Sequence, residues 1–323
     1  MVYCILRGHR RPAHHKTVEK EFLMLSYDQI KDKPRILRTC TSLDREEFEE
    51  LLVAFQKAWE TYIQNNYING KERQREYGGG RKPTLLTIED KLLFSLFYFK
   101  TYPLQEVIAF LFGMSQSQAN EWIHTLSEVL KMALGENGHL PERDPQTLEY
   151  VLEENPILAF IIDGAERRRQ RPKDKEEQKK HYSGKKKAHT YKNNVIVNRN
   201  NRKVEYLSQT YEGKKHDKKI CDEENCNFPQ GSILFKDTGF QGYEPEGVIT
   251  CQPKKKPRGK ELTADDKIIN SIISGIRVIV EHVISGIKRC RIVKDIFRNT
   301  KKKFEDLVME IACGLHNFRV EYR

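Results

Sequence analysis

The sequence predicts an all-α amino-terminal region followed by an α/β region in which a mixed sheet is flanked by helices. Three observations support this fold class. Apolar residues recur at helical spacing up to about residue 145, and apolar or alternating runs of strand length then follow from 156 to 251. A long, mostly apolar helix, Lys267 to Lys294, comes after them. We therefore divide the chain of 323 residues into a helical amino-terminal arm (1–80), a second helical unit (84–145) and an α/β domain (150–323).

The chain is basic, and much of its positive charge is local. Its formal net charge is +11, and the basic segment 167–192 holds twelve lysines and arginines against three acids. A second basic cluster runs from Lys254 to Lys260. Such concentrated charge favours a polyanionic partner. Nucleic acid is favoured over acidic lipid because no amphipathic or lipidation signal accompanies the charge.

The sequence predicts a soluble, cytoplasmic protein without membrane contact. It contains no recognisable signal peptide and no uninterrupted transmembrane span. The seven cysteines are scattered and odd in number, which is typical of a reducing compartment. Cys221 and Cys226 with His216 could form half of a zinc site, but no second ligand pair has suitable spacing.

The helices are predicted from caps and apolar spacing. Ser42 is expected to cap the first clear helix, and a polar, glycine-containing linker ending at Pro83 follows it. Thr87 and Ser115 are expected to cap two further helices, with a short helix from Leu104 to Phe112 between them. This arrangement is typical of a helix-turn-helix.

Polar side chains on the outer face of the helix after Ser115 are of the types that reach base edges or phosphates. The candidates for DNA contact are Gln116, Gln118, Asn120 and His124. An ordinary three-helix packing unit remains an alternative interpretation of the same pattern.

Two predicted strands end in carboxylates. The apolar run 156–162 stops at Asp163, and the run 232–236 stops at Asp237. A third carboxylate, Glu281, lies in the long helix with Arg277 and Lys288 on the same polar face. Each could instead be a local feature: a turn cap, an Asx turn, or a salt-bridged helix residue.

A mixed sheet with flanking helices can bring these three carboxylates to one cleft. Clustered carboxylates repel one another unless divalent cations lie between them. Hard oxygen ligands and a phosphate-bearing substrate favour Mg²⁺ or Mn²⁺, with two ions activating the nucleophile and stabilising the leaving oxygen. We therefore predict a metal site at Asp163, Asp237 and Glu281.

The basic segment 167–192 supplies further candidates for phosphate contact, bracketed by Tyr182 and Tyr191. Together with one residue of the second cluster, they are Arg171, Lys185, Lys186, Lys187, His189 and Lys255. A merely solvated loop is the alternative.

Several motifs in order resemble the bacterial insertion-sequence transposases of the DDE superfamily. The resemblance extends from about Leu85 to Phe318. The segment "DKLLFSLFYFKTYPLQEVIAFLFGMSQSQANEWIHTL" is similar to the family's helix-turn-helix, and Asp163-Gly164 with His216-Asp217-Lys218 resembles its first catalytic block. The run Asp237-Thr238-Gly239-Phe240 resembles the second block, and Arg277-x3-Glu281-x6-Lys288 has the spacing of the third.

The resemblance implies an RNase H-like catalytic domain behind a helix-turn-helix DNA-binding domain. It implies that the three carboxylates bind the metal ions and that Arg277 and Lys288 hold terminal phosphates or orient the glutamate. The implied function is to bind the terminal inverted repeats of the element, cut them and join them to target DNA, as an assembly of at least two copies in a bacterial cytoplasm, associated with the nucleoid. Two alternatives stay open: a non-catalytic DNA-binding repressor and a metal-dependent nuclease that does not join strands.

Overall fold

The computed structural model describes residues 24–69, 82–257 and 261–322, with Gly80 and Gly259. The predicted arm before residue 24 and most of the predicted linker therefore lie outside the described residues. The same holds for two positions of the second basic cluster, Arg258 and Lys260. The arm and domain boundaries remain predictions.

The described α-helices are α1 (Tyr27–Ile30), α2 (Pro34–Thr41), α3 (Arg45–Ile63), α4 (Ile88–Thr101), α5 (Gln105–Leu111), α6 (Gln116–Glu136), α7 (Leu148–Glu153), α8 (Lys175–His181), α9 (Asp217–Glu224), α10 (Ala264–Ile287), α11 (Arg291–Lys294) and α12 (Phe304–Glu321). A π-helical turn, Gln64–Ile68, extends α3, and a 3₁₀ turn covers Thr238–Phe240.

Side-chain caps fix where the main helices begin. The predicted caps Thr87 and Ser115 each accept a hydrogen bond from the backbone N–H three residues on. The predicted cap of α3 is wrong by two residues. Asp44 forms a capping box with Glu47, whereas Ser42 ends α2 in the left-handed conformation. Serine and aspartate are both good N-cap types, so residue type alone does not separate the two positions.

The strands form a mixed sheet that confirms the predicted α/β class. The strands are β1 (Ala159–Arg168), β2 (Tyr182–Ser183), β3 (Ala188–Asn198), β4 (Val204–Leu207), β5 (Tyr211–Glu212), β6 (Ile233–Lys236) and β7 (Ile249–Cys251). Their order is β2-β3-β1-β6-β7, and β4 and β5 also pair with β3. The β1–β3 and β3–β4 pairs are antiparallel, and β1, β6 and β7 are parallel. This mixture of an antiparallel meander and a parallel half is the expected RNase H-like arrangement.

Helices cover both faces of this sheet. One face joins a large core that includes Ile161, Val280 and Phe318 and continues into the amino-terminal helices. The other face contributes Phe160 and Tyr206 to a second core, which α7 and the Cys221 side of α9 complete. Because successive residues of a strand point to opposite faces, β1 supplies both cores.

The long helix α10 is shorter than the sequence predicted and only partly buried. It starts at the expected cap, Thr263, but ends at Ile287, and a turn separates it from α11. Ile273, Val280 and Ile287 are buried as expected, whereas Ile269 is 52% exposed. The apolar stripe of α10 was expected to face the core throughout, but its amino-terminal part around Ile269 is exposed.

By length and composition alone, α10 is the one helix in the described chain that could cross a membrane. It instead packs on β1 and β6, and its Arg277 pairs with Asp237, the residue after β6. A helix engaged in this way belongs to the α/β fold.

Candidate active site

Asp163 and Asp237 lie next to each other on neighbouring parallel strands. Ile162 of β1 pairs with Lys236 of β6, so the following residue of each strand is an aspartate. The sequence predicted that Asp163 ends its strand, and this is wrong, because β1 continues to Arg168 in its pairing with β3. The parallel neighbour β6 does end at Lys236, so the sheet opens at the level of the two aspartates.

Each aspartate is oriented by the backbone of the residue after it. The Gly164 N–H donates to Asp163 Oδ1 at 2.8 Å, and the Thr238 N–H donates to Asp237 Oδ1. Asp237 also begins the 3₁₀ turn, and its carbonyl accepts from the side chain of Gln252 at 2.8 Å. Asp163 Oδ2 is left for another partner, whereas Asp237 Oδ2 faces Arg277.

Helix α10 brings a guanidinium to this pair. It packs across β1 and β6, the two strands that carry the aspartates. Arg277 Nη2 lies 3.5 Å from Asp237 Oδ2, and the arginine side chain is only 15% exposed. Arg277 Nε is buried without a hydrogen-bond partner among the described residues. A buried, unsatisfied N–H donor of this kind is suited to an anionic ligand.

The electrostatics of Asp163 reflect this crowding. Burial raises the pKa of its carboxyl, and the charges of Asp237 and Asp217 raise it further, whereas the Gly164 N–H and Arg277 lower it. A positive charge brought close to this carboxylate would therefore be strongly favoured.

Lys288, at the carboxyl-terminal cap of α10, lies on the same side of the site. Burial lowers the pKa of its ammonium, and the charge of Lys186 lowers it further, whereas Asp163 and Glu166 raise it. Lys288 therefore interacts electrostatically with Asp163 and with Lys186 in the β2–β3 turn. The half-buried ammonium is suited to contact a phosphate at the edge of the site.

Glu281 is exposed and does not join the aspartates. It makes no hydrogen bond or ion pair within the part of the chain that the structure describes. It lies one turn after Arg277 on the same face of α10, which is about 6 Å along the axis. Glu281 is the one carboxylate of α10 between Arg277 and Lys288. Its backbone position therefore fits the predicted site, although its side chain extends into solvent.

Asp217 lies close to the segments that follow Asp163 and Asp237. A Cβ on Gly164 would lie 2.8 Å from Asp217 Oδ1, and one on Gly239 would lie 3.4 Å from Oδ2. Lys192 Nζ lies 3.2 Å from the same carboxylate. Because Gly164 faces the opposite side of β1 from Asp163, Asp217 approaches from behind the sheet rather than from the α10 face.

The oxygen donors on the α10 face are of the type that binds a divalent cation, but too few of them lie close together to hold one. Asp163 and Asp237 supply hard carboxylate oxygens side by side, as Mg²⁺ and Mn²⁺ prefer. Within the described ranges, no three His, Cys, Asp or Glu side chains are gathered closely enough to hold a metal ion. The half-site for zinc around Cys221 and Cys226 is likewise not assembled there.

The polar side chains predicted on α6 occupy different surroundings. Gln116 and Gln118 are exposed, and Asn120 is half-buried in a cleft beside the α4–α5 turn. His124 is not on an open face, because its ring packs edge-on against Phe304 at 4.6 Å and its Nδ1 is buried.

The candidates in the two basic regions are mostly accessible. Lys185, Lys186 and Lys187 are exposed in the turn between β2 and β3, and Lys255 is exposed after β7. Arg171 is exposed with its guanidinium bonded to Gln178 Oε1.

His189 is half-buried against the ring of Tyr182, and burial lowers its pKa, as do Arg171 and Arg169. Arg167, also in the basic segment 167–192, is buried and bonds to Asn193, Thr210 and the Glu305 carbonyl. Arg167 therefore stabilises the fold and is not accessible for phosphate contact at the surface.

Comparison with known proteins assigns the chain to a family. Residues 162–317 match the model of a DDE superfamily endonuclease, and residues 84–136 match the helix-turn-helix of DDE superfamily endonucleases. The first match contains Asp163, Asp237 and Glu281, and the second contains α4 to α6. The chain belongs to the DDE superfamily, with an RNase H-like domain behind a helix-turn-helix, and the family assignment made from the sequence is confirmed.

A relative supports the same class. The chain is 27% identical over 241 residues to a protein of Microchaete diplosiphon described as a probable transposase for insertion sequence element IS702. The similarity covers 75% of this chain and 83% of that protein. No solved structure matches the chain significantly.

Proposed function

We propose that this protein is a transposase that binds the ends of an insertion sequence and carries out metal-dependent cleavage and transfer of DNA strands. The observation that carries the proposal is the juxtaposition of Asp163 and Asp237 beneath the Arg277 face of α10. Two aligned carboxylates with a buried guanidinium suit phosphodiester chemistry, in which charge develops on phosphate oxygens. The family assignment supports the same reaction class.

In this proposal the two aspartates and Glu281 hold Mg²⁺ or Mn²⁺. Bound metal supplies an activated water or 3′-hydroxyl and stabilises the leaving oxygen. Arg277 fixes the Asp237 carboxylate, and its free Nε–H is available to a phosphate oxygen. Lys288 contacts the scissile or terminal phosphate from the other end of the helical face.

The proposed reaction has two steps. In the first, water attacks phosphorus at the element end, the P–O3′ bond breaks, and a 3′-hydroxyl is released. In the second, that hydroxyl attacks a target phosphodiester, so the new bond replaces the old one without an external energy source. The partners are duplex DNA with the terminal inverted repeats, target DNA and at least one further copy of the chain, in the cytoplasm.

The test compares strand cleavage and joining with DNA binding. Labelled duplex DNA from the regions that flank the coding sequence is incubated with Mg²⁺ and with wild type, Asp237→Ala or Glu281→Gln. We expect wild type to cut and join, and both variants to bind DNA nearly as wild type while cleaving at least 10²-fold more slowly. Since Glu281 makes no described contact, its substitution should change the unfolding free energy by less than about 0.5 kcal/mol.

The matched control is Glu46→Gln, which neutralises another exposed glutamate, in the first turn of α3. This variant should cleave normally. Cleavage that survives Glu281→Gln would remove Glu281 from the site. If wild type binds but neither cuts nor joins, the enzyme hypothesis is wrong and the repressor alternative stands; cutting without joining favours the nuclease.

A further inference from the structure

The helix-turn-helix lacks the positive charge that DNA binding needs. From Ile88 to Glu136, which spans α4 to α6, the chain holds three lysines and six carboxylates, a net charge of −3. Of these lysines, Lys91 directs its ammonium to the carbonyls of Leu86 and Thr87. Most of the affinity for duplex DNA comes from cations that neutralise phosphates. The cations must therefore come from outside these three helices.

A basic loop from the carboxyl-terminal part of the chain lies against the same helices. The loop 298–303 reads Arg-Asn-Thr-Lys-Lys-Lys and contains no acid. Arg298 Nη2 donates to the carbonyls of Tyr102 and Pro103 at 2.6 and 3.1 Å, and its guanidinium stacks over the Tyr102 ring at 4.1 Å. The Arg298 N–H also donates to Tyr102 Oη at 2.7 Å. These contacts fix the loop on the turn that joins α4 to α5.

The loop and α6 share one surface. A cleft of 460 Å³ is lined by Gln116 and Asn120 from α6 and by Arg298, Asn299 and Thr300 from the loop. Lys301 follows directly, and its charge lowers the pKa of His124, one turn after Asn120. The exposed ammonium groups of the loop therefore lie beside the amide side chains at the start of α6.

The residue before this loop, Phe297, connects this surface to the basic segment 167–192. The Phe297 N–H donates to the Arg168 carbonyl at 2.9 Å, and the Gln170 N–H donates to the Phe297 carbonyl at 3.1 Å. Arg168 is exposed, and Arg169 stacks over Tyr191 at 4.5 Å. Positive charge therefore continues from the start of α6 to the strand that carries Asp163.

We propose that loop 298–303 and the start of α6 form one composite interface for duplex DNA, in which Lys301 and Lys302 bind phosphates and the α6 amides face the groove. The proposal rests on the proposed function only in that the ligand is DNA. It assigns the phosphate contacts of the helix-turn-helix to a loop outside it. Because Arg298 fixes the loop to the α4–α5 turn, DNA bound there is held in a defined position relative to the α/β domain.

The test is the salt dependence of binding. Fluorescence anisotropy with labelled duplex DNA from the flanking regions gives Kd at salt concentrations from about 50 to about 300 mM. The variant Lys301→Gln/Lys302→Gln should bind at least 10-fold more weakly at the lower end, with a salt slope reduced by about 1.8, because each phosphate contact contributes ~0.9. Lys303 is left unchanged because it adopts φ +65° where α12 begins.

The matched control is Lys57→Gln/Arg199→Gln, which removes the same charge elsewhere. Lys57 pairs with Glu136 at the far end of α6, about 30 Å from Gln116 along the helix, and Arg199 is exposed in the β3–β4 turn. This variant should keep the wild-type slope. Equal slopes for both double variants would overturn the composite interface and leave the proposed function untouched.

The remaining outcomes are separable. If the loop variant loses affinity but wild type shows no cleavage, the interface stands and the proposed enzymatic function fails. If wild type binds no duplex DNA under any of these conditions, both proposals are wrong.

Discussion

The Arg277 guanidinium lies 3.5 Å from the Asp237 carboxylate, joining α10 to the sheet at the candidate active site. The two residues are 40 positions apart in the chain, and the helix that carries Arg277 packs on both β1 and β6. A half-buried pair of this kind positions the carboxylate more than it stabilises the fold, since desolvation offsets much of the attraction.

We expect Arg277→Met to slow DNA cleavage roughly 10²-fold, because it removes a preorganised donor and frees the Asp237 side chain. The loss of DNA affinity should be small beside the loss of cleavage rate. Single-turnover cleavage and anisotropy on the same DNA measure the two effects.

The control for this prediction is Arg291→Met, which breaks the ion pair of Arg291 with Asp295 at 3.1 Å on an exposed surface. Exposed pairs contribute little, so the cleavage rate should not change. Equal rate losses in both variants would mean that Arg277 acts through general charge or folding rather than at the site.

Two glycines of α10 should respond oppositely to alanine. A Cβ on Gly286 would overlap the imidazole of His316, whereas a Cβ on Gly275 meets nothing within 4 Å. We expect Gly286→Ala to destabilise the protein by about 1–3 kcal/mol through overpacking. Gly275→Ala should stabilise it by about 0.5–1 kcal/mol because alanine favours the helix. Urea unfolding of both variants checks the signs, and a neutral Gly286→Ala would show that His316 can move aside.

His316 should make stability fall at mildly acid pH. Burial lowers its pKa to about 4, helped by the charges of Arg319 and Arg289 and opposed by the hydrogen bond with the Arg202 carbonyl. The neutral ring is favoured in the folded state, so its contribution is complete above the unfolded pKa near 6.5 and is lost as the pH falls towards 4. The expected loss is about 3 kcal/mol.

The variant His316→Gln tests this assignment, since glutamine can still donate to the Arg202 carbonyl but does not titrate. Its unfolding free energy, measured from pH 7 to pH 4, should fall less steeply than that of wild type. Parallel curves for the two proteins would assign the acid sensitivity to other histidines, such as His139 and His181, whose pKa values burial also lowers.

Much of the candidate site followed from local sequence signals. The caps Thr87, Ser115 and Thr263 mark helix starts because a side-chain oxygen meets an N–H only three residues away. Asp163 and Asp237 were expected at one edge of a sheet because apolar runs of strand length precede both. These signals act over a few residues, so the sequence alone carries them.

The lengths of elements were less predictable. Strand β1 runs past Asp163 because β3 continues to pair with it, a contact between residues such as Arg167 and Tyr191 that no pattern within β1 indicates. Helix α10 was expected to continue to Lys294, since its apolar spacing continues past the turn that ends it at Ile287.

The sequence by itself determined the fold class and the family and predicted the three carboxylates of the candidate site, because periodicity, caps and motif order are local properties of the chain. Only the tertiary structure decided which groups meet. It placed Arg277 on Asp237, brought Asp217 behind Gly164 and left Glu281 in solvent. It also laid the basic loop 298–303 against the start of α6. These relationships depend on how helices pack on the sheet and on one another, and packing joins residues that are far apart in the sequence.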